Sequence, residues 1–281
     1  MTRFNKKNEK RTFEQIREHY EVEKSLAKKL REANKNERRY LYSSIYNELF
    51  QRIPHHPQLL RKAAIQERAA TIAQLVDVLK NYLHPDINFL EVGAGDCRLS
   101  LKVAELVKKV YAIDVSDEIT KGSQIPQNFE LLICDGCSIP VPGQSVDLIF
   151  SNQLMEHLHP DDVLEQLENI YNALKIGGVY FCITPNRLTG PSDISKYFDS
   201  VATGLHLKEY TNTEIEKLFK QVGFTTIKKY LYIRGSRLLL PLIFAKCLES
   251  LLSRLPVLLC KKVARFAPIH AMLGANVVAI K

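Results

Sequence analysis

The chain has 281 residues, of which 46% are hydrophobic and 25% are charged. This composition suits a soluble globular protein with a substantial core. No apolar run approaches the roughly 20 residues of a membrane-spanning helix, and the N-terminal MTRFNKKNEKR lacks the apolar segment of a secretory signal. We therefore expect a cytoplasmic protein with six reduced cysteines. Cys134 and Cys137 form a lone C-x-x-C without a second pair to complete a zinc site, so no metal is expected.

The net charge of +8 is unevenly distributed along the chain. Residues 1–62 carry a net charge of +8, residues 63–233 a net charge of −7, and residues 234–266 a net charge of +6. Two basic flanks around an acidic middle indicate modules with different roles.

The first part of the chain has the apolar spacing of three helices. Thr12 and Gln15 have capping-box spacing at the start of the first helix. A second predicted helix covers residues 40–50, and a third follows Pro57. These helices form a predicted N-terminal extension over residues 1–84, which could act as a lid over a substrate. The side chains that would then contact the substrate are Tyr40, Tyr42, Tyr46, Phe50, His55 and His56. The alternative is that the helices pack on the sheet, with their basic residues solvated or facing the acidic middle.

Beyond these helices, short apolar strands alternate with amphipathic helices. The predicted strands cover residues 87–92, 110–115, 129–135, 146–152, 179–184, 224–233 and 275–281. Helices are predicted over 97–108 and 161–175, and a further helix is capped by Thr211 and Glu214. This alternation predicts an α/β fold, a Rossmann-like, mostly parallel seven-stranded sheet with helices on both faces. The α/β domain is assigned to residues 85–281, with a helical insert over 234–274 before the last strand.

The stretch FLEVGAGDCRLS joins the first strand to a helix and contains Glu91. In such sheets, ligands bind beyond the carboxyl ends of the strands. Gly93 and Gly95 allow a sharp turn and a close approach of the ligand, and the amides of the following helix point at a negative group. Asp114 lies 19 residues beyond Gly95, where a carboxylate accepts hydrogen bonds from ribose hydroxyls. Asp135 ends the third strand, where it could meet an adenine amino group.

Nicotinamide cofactors fit this pattern less well, because their G-x-G-x-x-G fingerprint requires glycine where this chain has Arg98. The motifs FLEVGAGDCR, YAIDVS, LLICDG, DLIFSNQLMEHL and LKIGGVYFCITPN together resemble the class I S-adenosylmethionine-dependent methyltransferases. The similarity is greatest to small-molecule enzymes of the ubiquinone/menaquinone-pathway, methyltransferase type 11 group. One departure is Cys97, where the family often has a third glycine.

The resemblance implies an enzyme with S-adenosyl-L-methionine as its cofactor. The cofactor-binding residues that it implies are Glu91, Gly93, Ala94, Gly95, Asp114, Val115, Asp135, Gly136 and Asn152.

Methyl transfer from a sulfonium requires an acceptor held in line with the methyl group, and a hydroxyl acceptor also benefits from a base. His157 follows the fourth strand, on a loop that faces the reacting methyl group in the resembling family. It is therefore the first candidate base, with His159 second. His206 lies on a loop that borders the predicted cleft and is another candidate. The expected reaction is O-methylation of a sugar, a glycan precursor or a quinone-like lipid, although each histidine could instead be structural.

Two other functions stay open, an RNA-modifying methyltransferase that uses the basic N-terminal arm and a non-catalytic cofactor-binding protein. Enzymes that methylate exocyclic base amines resemble one another in an N-P-P-Y-like signature, and this chain has SNQL at that place. It also lacks the nucleophilic cysteine that cytosine C5 enzymes need nearby. These differences disfavour nucleic acid as the substrate.

The basic segment 234–266 is rich in leucine and contains Glu249 as its one acidic residue. Pro241 and Pro256 divide it into short helices. Residues 237–264 would suit an amphipathic surface that contacts a lipid-linked acceptor or the inner membrane surface. The leucines predicted on one face are Leu248, Leu251, Leu252 and Leu255. The alternatives are a helical pair that covers the cleft and a dimer contact.

Overall fold

The computed structural model describes residues 11–59, 65–116, 125–233 and 236–281. Three parts of the sequence predictions lie outside these residues. They are the N-terminal residues 1–10, the start of the third predicted helix at 60–64, and the first two residues of the basic insert, 234–235.

Three α-helices whose bounds lie within the described residues precede the sheet. They are α1 (Phe13–Glu32), α2 (Lys35–Arg52) and α3 (Ile65–Leu79), and a short 3-10 turn (Lys80–Tyr82) follows them. The predicted capping box at Thr12 and Gln15 is present. Helix α2 begins earlier than predicted, because Asn34 and Glu37 form a second capping box that the sequence reading missed.

The rest of the chain forms an eight-stranded sheet, one strand more than predicted. The strands are β1 (Asn88–Val92), β2 (Lys109–Asp114), β3 (Phe129–Ile133), β4 (Val146–Asn152), β5 (Leu174–Thr184), β6 (Thr226–Ile233), β7 (Ser236–Pro241) and β8 (Ala275–Ile280). Their order is β3-β2-β1-β4-β5-β8-β6-β7. Strand β8 runs antiparallel between β5 and β6, and β7 pairs antiparallel with β6 at the edge. Because β3, β2, β1, β4 and β5 pair in parallel, the predicted mostly parallel, Rossmann-like sheet is confirmed.

The extra strand corrects the prediction of a wholly helical insert. Residues SRLLLP form β7, whose register runs from Ser236 opposite Ile233 to Pro241 opposite Lys228. A short leucine run is compatible with either a helix or a strand, and the neighbouring edge of β6 decides for the strand.

Six further α-helices have their bounds in the part of the chain that the structure describes. They are α4 (Arg98–Val103), α5 (Pro160–Ala173), α6 (Asn212–Val222), α7 (Ile243–Leu252), α8 (Val257–Ala264) and α9 (Ala267–Leu273). Helix α4 is shorter than the predicted helix over 97–108. The predicted capping box of α6 at Thr211 and Glu214 is present. No helix in the described part of the chain has the length and apolar character needed to cross a membrane.

The hydrophobic core occupies both faces of the sheet. On one face, buried side chains of α1 and α2, such as Leu26 and Leu49, pack in one cluster with Leu90 of β1 and Ile149 of β4. On the other face, Leu79 of α3 belongs to a second cluster with residues of β1, β2 and β4. The N-terminal helices therefore share the core of the α/β domain.

Candidate active site

A cavity of about 400 Å³ lies at the carboxyl ends of β1, β2 and β4. Its volume falls in the range of small-molecule sites. Nine of the eleven predicted site residues line it, namely Glu91, Gly93, Ala94, Gly95, Asp114, Val115, Gly136, Asn152 and His157. The two others, Asp135 and His206, are not part of the lining.

The glycine-rich turn after β1 forms one side of the cavity. Gly93, Gly95 and Cys97 all have positive φ, at 76°, 54° and 56°. A Cβ placed on Gly95 would meet no atom within 4 Å, so the backbone here faces open space that a ligand can enter. The left-handed conformation of Cys97 gives the physical reason why a glycine suits this position.

Asp114 is held rigidly at the end of β2. Its carboxylate accepts backbone N–H bonds from Gly95 and Val115, each at 2.7 Å, and from Ser116 at 3.3 Å. Burial raises the pKa of this carboxyl, although the three hydrogen bonds act in the opposite sense. The bond to Gly95 ties the end of β2 to the glycine-rich turn, so the two predicted cofactor elements form one unit.

Glu91 supplies a second carboxylate to the cavity. The side chain is buried and accepts a hydrogen bond from the Ser100 hydroxyl at 2.5 Å. Burial raises its pKa to about 8. Buried carboxyl groups with raised pKa values in a cavity are typical of functional sites, and a cationic ligand would favour their ionised form.

The structure gives Asp135 partners away from the cavity. One carboxylate oxygen accepts N–H bonds from Cys137 at 3.0 Å and Ser138 at 2.8 Å, and the other pairs with Arg39 of α2 at 2.8 Å. Burial acts to raise the pKa of Asp135, but these contacts lower it overall. Its neighbour Gly136 lines the cavity, so the turn after β3 borders the site through its backbone.

Helix α2 forms a wall of the cavity with Tyr42, Tyr46 and Phe50. The positive φ of Gly136 (87°) accompanies a close approach of the Tyr42 ring, which lies 2.9 Å from where a Cβ would stand. Tyr40, which the sequence reading grouped with these aromatic residues, is 81% exposed.

A buried ion pair fixes this wall. Arg38 binds both carboxylate oxygens of Asp162 on α5, at 2.6 and 2.7 Å. The Tyr42 hydroxyl donates to the same carboxylate at 2.8 Å and accepts the His159 N–H at 2.9 Å.

The sequence reading missed several lining residues. Thr71, Ile72 and Leu75 of α3 reach the cavity, and their helical apolar spacing gave only a packing signal. Gln166 of α5 also lines it and donates to the Gly136 carbonyl at 2.6 Å. A glutamine on an amphipathic helix offers no recognisable sequence signal.

His157 lies on the 3-10 turn Met155–His157 after β4 and lines the cavity. Its Nδ1 donates to the Leu205 carbonyl at 3.0 Å, which leaves Nε2 as the nitrogen with the lone pair. Burial and the charge of His206 lower the pKa of His157 to about 3. The imidazole is therefore neutral at physiological pH and can accept a proton or hydrogen bond at Nε2.

His206 packs directly against His157, with ring centroids 4.8 Å apart. Its Nδ1 lies 2.9 Å from Glu209, and its Nε2 lies 4.0 Å from a Glu156 oxygen. Burial acts to lower the pKa of His206, but these carboxylates and Asp193 raise it overall. Burial also raises the pKa of Glu156 to about 7. His206 thus belongs to a buried cluster of charged side chains, with Glu156 and Glu209, that packs against the ring of His157.

Two further observations concern the predicted histidine and metal chemistry. His159 is the N-cap of α5, where its ring accepts the Asp161 N–H at 3.3 Å. Glu156, His157 and His206 each offer a ligand atom, and these atoms lie within 4.8 Å of one another. Such a donor set could hold a divalent transition metal.

Residues 90–182 match the model of a methyltransferase domain. An uncharacterized methyltransferase of Geobacillus sp. is 30% identical over 146 residues, which cover 48% of this chain and 68% of that protein. The chain belongs to the class I S-adenosylmethionine-dependent methyltransferases.

Other similar proteins carry related descriptions. A probable S-adenosylmethionine-dependent methyltransferase of Mycolicibacterium smegmatis is 28% identical over 137 residues, or 48% of this chain. The match spans about half of that relative, 51% of its length. A solved methyltransferase from Archaeoglobus fulgidus aligns with a TM-score of 0.49 and 16% identity, and the alignment covers 84% of this chain and 100% of that one.

The residues at the cavity fit the cofactor of this family. S-adenosylmethionine combines a ribose diol with positively charged sulfonium and amino groups, and Asp114 and Glu91 offer carboxylates to such groups. The open backbone at Gly95 admits a ligand without a side chain in between. When bound, the cofactor supplies an electrophilic methyl group on a sulfonium.

Proposed function

We propose that this protein transfers the methyl group of S-adenosylmethionine to a hydroxyl of a small molecule, such as a sugar, a glycan precursor or a quinone-like lipid. The observation that carries the proposal is the position of His157. It lines the same cavity as Glu91 and Asp114, and its Nδ1 bond to Leu205 leaves Nε2 available as a base.

The proton of the acceptor hydroxyl must leave as the new oxygen–carbon bond forms. A neutral imidazole can accept it at Nε2. Burial keeps the His157 ring neutral beforehand, and the same low pKa makes it a weaker base than a free imidazole. The carboxylate of Glu23 favours the protonated ring that results. The aromatic wall formed by Tyr46 and Phe50 would position the acceptor, which is where much of the rate enhancement of a displacement arises.

The basic N-terminal arm supports a small-molecule acceptor over RNA. Several of its described cations are already paired with carboxylates. Arg39 binds Asp135 and Glu165, while Lys29 and Arg52 both bind Glu48. Cations held in this way contribute less to a phosphate-binding surface.

The test uses methyl-labelled S-adenosylmethionine with the small-molecule fraction and the total RNA of cells that lack the protein. The expected result is label in a small molecule that carries a methyl ether by mass spectrometry. Label in RNA would contradict the proposal in favour of RNA modification. Cofactor binding without transfer to any fraction would favour a non-catalytic protein.

The variant His157→Ala tests the assigned base. It should lower turnover by about a hundredfold or more while cofactor affinity is retained, because the base acts on the acceptor. His159→Ala is the matched control on the same loop and should retain turnover. Loss of turnover and cofactor affinity together in His157→Ala would show a structural histidine, and retained turnover would move the role to His206.

A further inference from the structure

The segment between β6 and β8 exposes an unusual amount of apolar surface. Six of its large hydrophobic side chains are more than half exposed. They are Ile243, Phe244, Leu251, Val257, Leu258 and Phe266, which we call the apolar face. Large apolar side chains that are exposed together within one segment mark a candidate interaction surface.

The apolar face is distinct from the surface that holds the segment to the protein. Leu252 is buried in a small cluster with α8 and α9, against which Leu248 and Leu255 pack. The sequence reading placed Leu251 with these leucines, but the structure turns it to solvent, 62% exposed. Helix α7 is thus apolar on its inner side and on its outer side, and only the inner side is covered within the described residues.

The one acidic residue of the described part of this segment is not exposed. Glu249, the one acidic residue between Ser236 and Phe266, is buried. Its carboxylate accepts hydrogen bonds from three residues of the α/β domain, Asn186, Asn212 and Thr213. Glu249 therefore adds no negative charge to the exposed surface of the segment.

Three cationic side chains of the segment are exposed to solvent. Arg254, Lys262 and Arg265 are exposed on α8 and the turns that flank it. Exposed apolar side chains beside cations, in a segment (236–266) whose one carboxylate is buried, complement the acyl–headgroup boundary of an anionic bilayer.

We propose that the apolar face lies in the surface of an anionic membrane, with Arg254, Lys262 and Arg265 at the lipid head groups. The same segment contacts the loop that carries His206, because Lys261 donates to the Ser200 carbonyl. Membrane docking would therefore place this loop, whose His206 packs against His157 of the cavity, close to the bilayer.

Co-sedimentation with vesicles at low salt tests the proposal. The full-length protein should bind vesicles of phosphatidylcholine with phosphatidylglycerol more strongly than vesicles of phosphatidylcholine alone. Leu251→Ser with Leu258→Ser should weaken this binding at least about tenfold. Lys262→Gln with Arg265→Gln should weaken binding to the anionic vesicles about fivefold per cation.

The matched control is Ile125→Ser with Ile176→Ser. These residues are 62% and 85% exposed, against 62% and 86% for Leu251 and Leu258, and they lie outside the segment. The control should bind vesicles like the wild type, and all variants should still bind S-adenosylmethionine, which verifies their fold.

Three results would overturn the proposal. The first is no binding of the wild type to either vesicle at low salt. The second is equal binding by the wild type and the Leu251/Leu258 variant. The third is a wild-type protein that forms a concentration-dependent dimer and does not bind vesicles, while the Leu251/Leu258 variant alone loses the dimer. This result would identify a second copy of the chain as the partner of the apolar face.

Discussion

Replacement of Asp114 by alanine should weaken S-adenosylmethionine binding by about 1.5–3 kcal/mol, the range for a hydrogen bond to a charged group. Three backbone N–H groups already orient this carboxylate, two of them at 2.7 Å. A ribose diol would therefore meet a preorganised acceptor. The loss corresponds to about a 10- to 150-fold increase in Kd at 25 °C.

A second variant separates the two effects of replacing Asp114, which are the loss of a charged hydrogen bond to the cofactor and the loosening of the glycine-rich turn. Asp114→Ala also removes the acceptor of the Gly95 N–H and so loosens the glycine-rich turn. Asp114→Asn keeps the shape and an acceptor oxygen but removes the charge. If the charged hydrogen bond to the cofactor dominates, both variants weaken binding to a similar extent. If the turn dominates, the alanine variant weakens it far more.

The control is Asp147→Ala. Asp147 also accepts a backbone N–H, from Asn88 at 2.8 Å, but at the opposite end of the sheet. This variant should lose stability without losing cofactor affinity. Titration calorimetry measures the affinities, and circular dichroism verifies folding. A folded Asp114→Ala protein with a Kd within about threefold of the wild type would refute the placement of Asp114 at the ribose.

Three further predictions concern buried charges. Lys229→Met should raise the free energy of unfolding by about 2–4 kcal/mol at pH 7, because burial lowers the pKa of Lys229 to about 7 and its Nζ has no hydrogen-bond partner within the described residues. Because the unfolded chain binds this proton more tightly, the wild-type free energy of unfolding should rise between pH 7 and 10.5, and its difference from that of Lys229→Met should shrink. The exposed Lys228→Met control should change stability little. A difference between Lys229→Met and wild type that stays constant over this pH range would contradict the argument. Cofactor binding at pH 7 should release close to one proton, because Glu91, with a pKa of about 8 in the free protein, ionises beside the cationic cofactor. Calorimetry in buffers of different ionisation enthalpy measures the number of protons released, and Glu91→Gln should abolish this release. Arg38→Ala should lower the free energy of unfolding, measured with urea, by about 3–5 kcal/mol, because it leaves Asp162 buried without a cation. The double variant Arg38→Met with Asp162→Leu should recover much of this loss. Equal stability of Arg38→Ala and the wild type would show that the ion pair does not anchor α2.

Much of the candidate cofactor site was predictable because its signals are local. A glycine-rich turn between a buried strand and a helix dictates its own backbone conformation, and parallel strands bring their carboxyl ends to one edge. Glu91, Gly95 and Asp114 therefore had to meet once the sheet was recognised. Capping boxes such as Thr12 with Gln15 are equally local, since both partners lie within one turn of helix.

The tertiary structure decided what depended on partners distant in sequence. Asp135 was predicted to end the third strand, but β3 ends at Ile133, and Asp135 in the following turn pairs with Arg39, almost a hundred residues earlier in the chain. The run SRLLLP is a strand because β6 offers an edge to pair with. Glu249 points inward because Asn186 and Asn212 supply donors for it there. In each case a burial or pairing energy outweighs a weak local preference, and that energy exists only after the distant segments have come together.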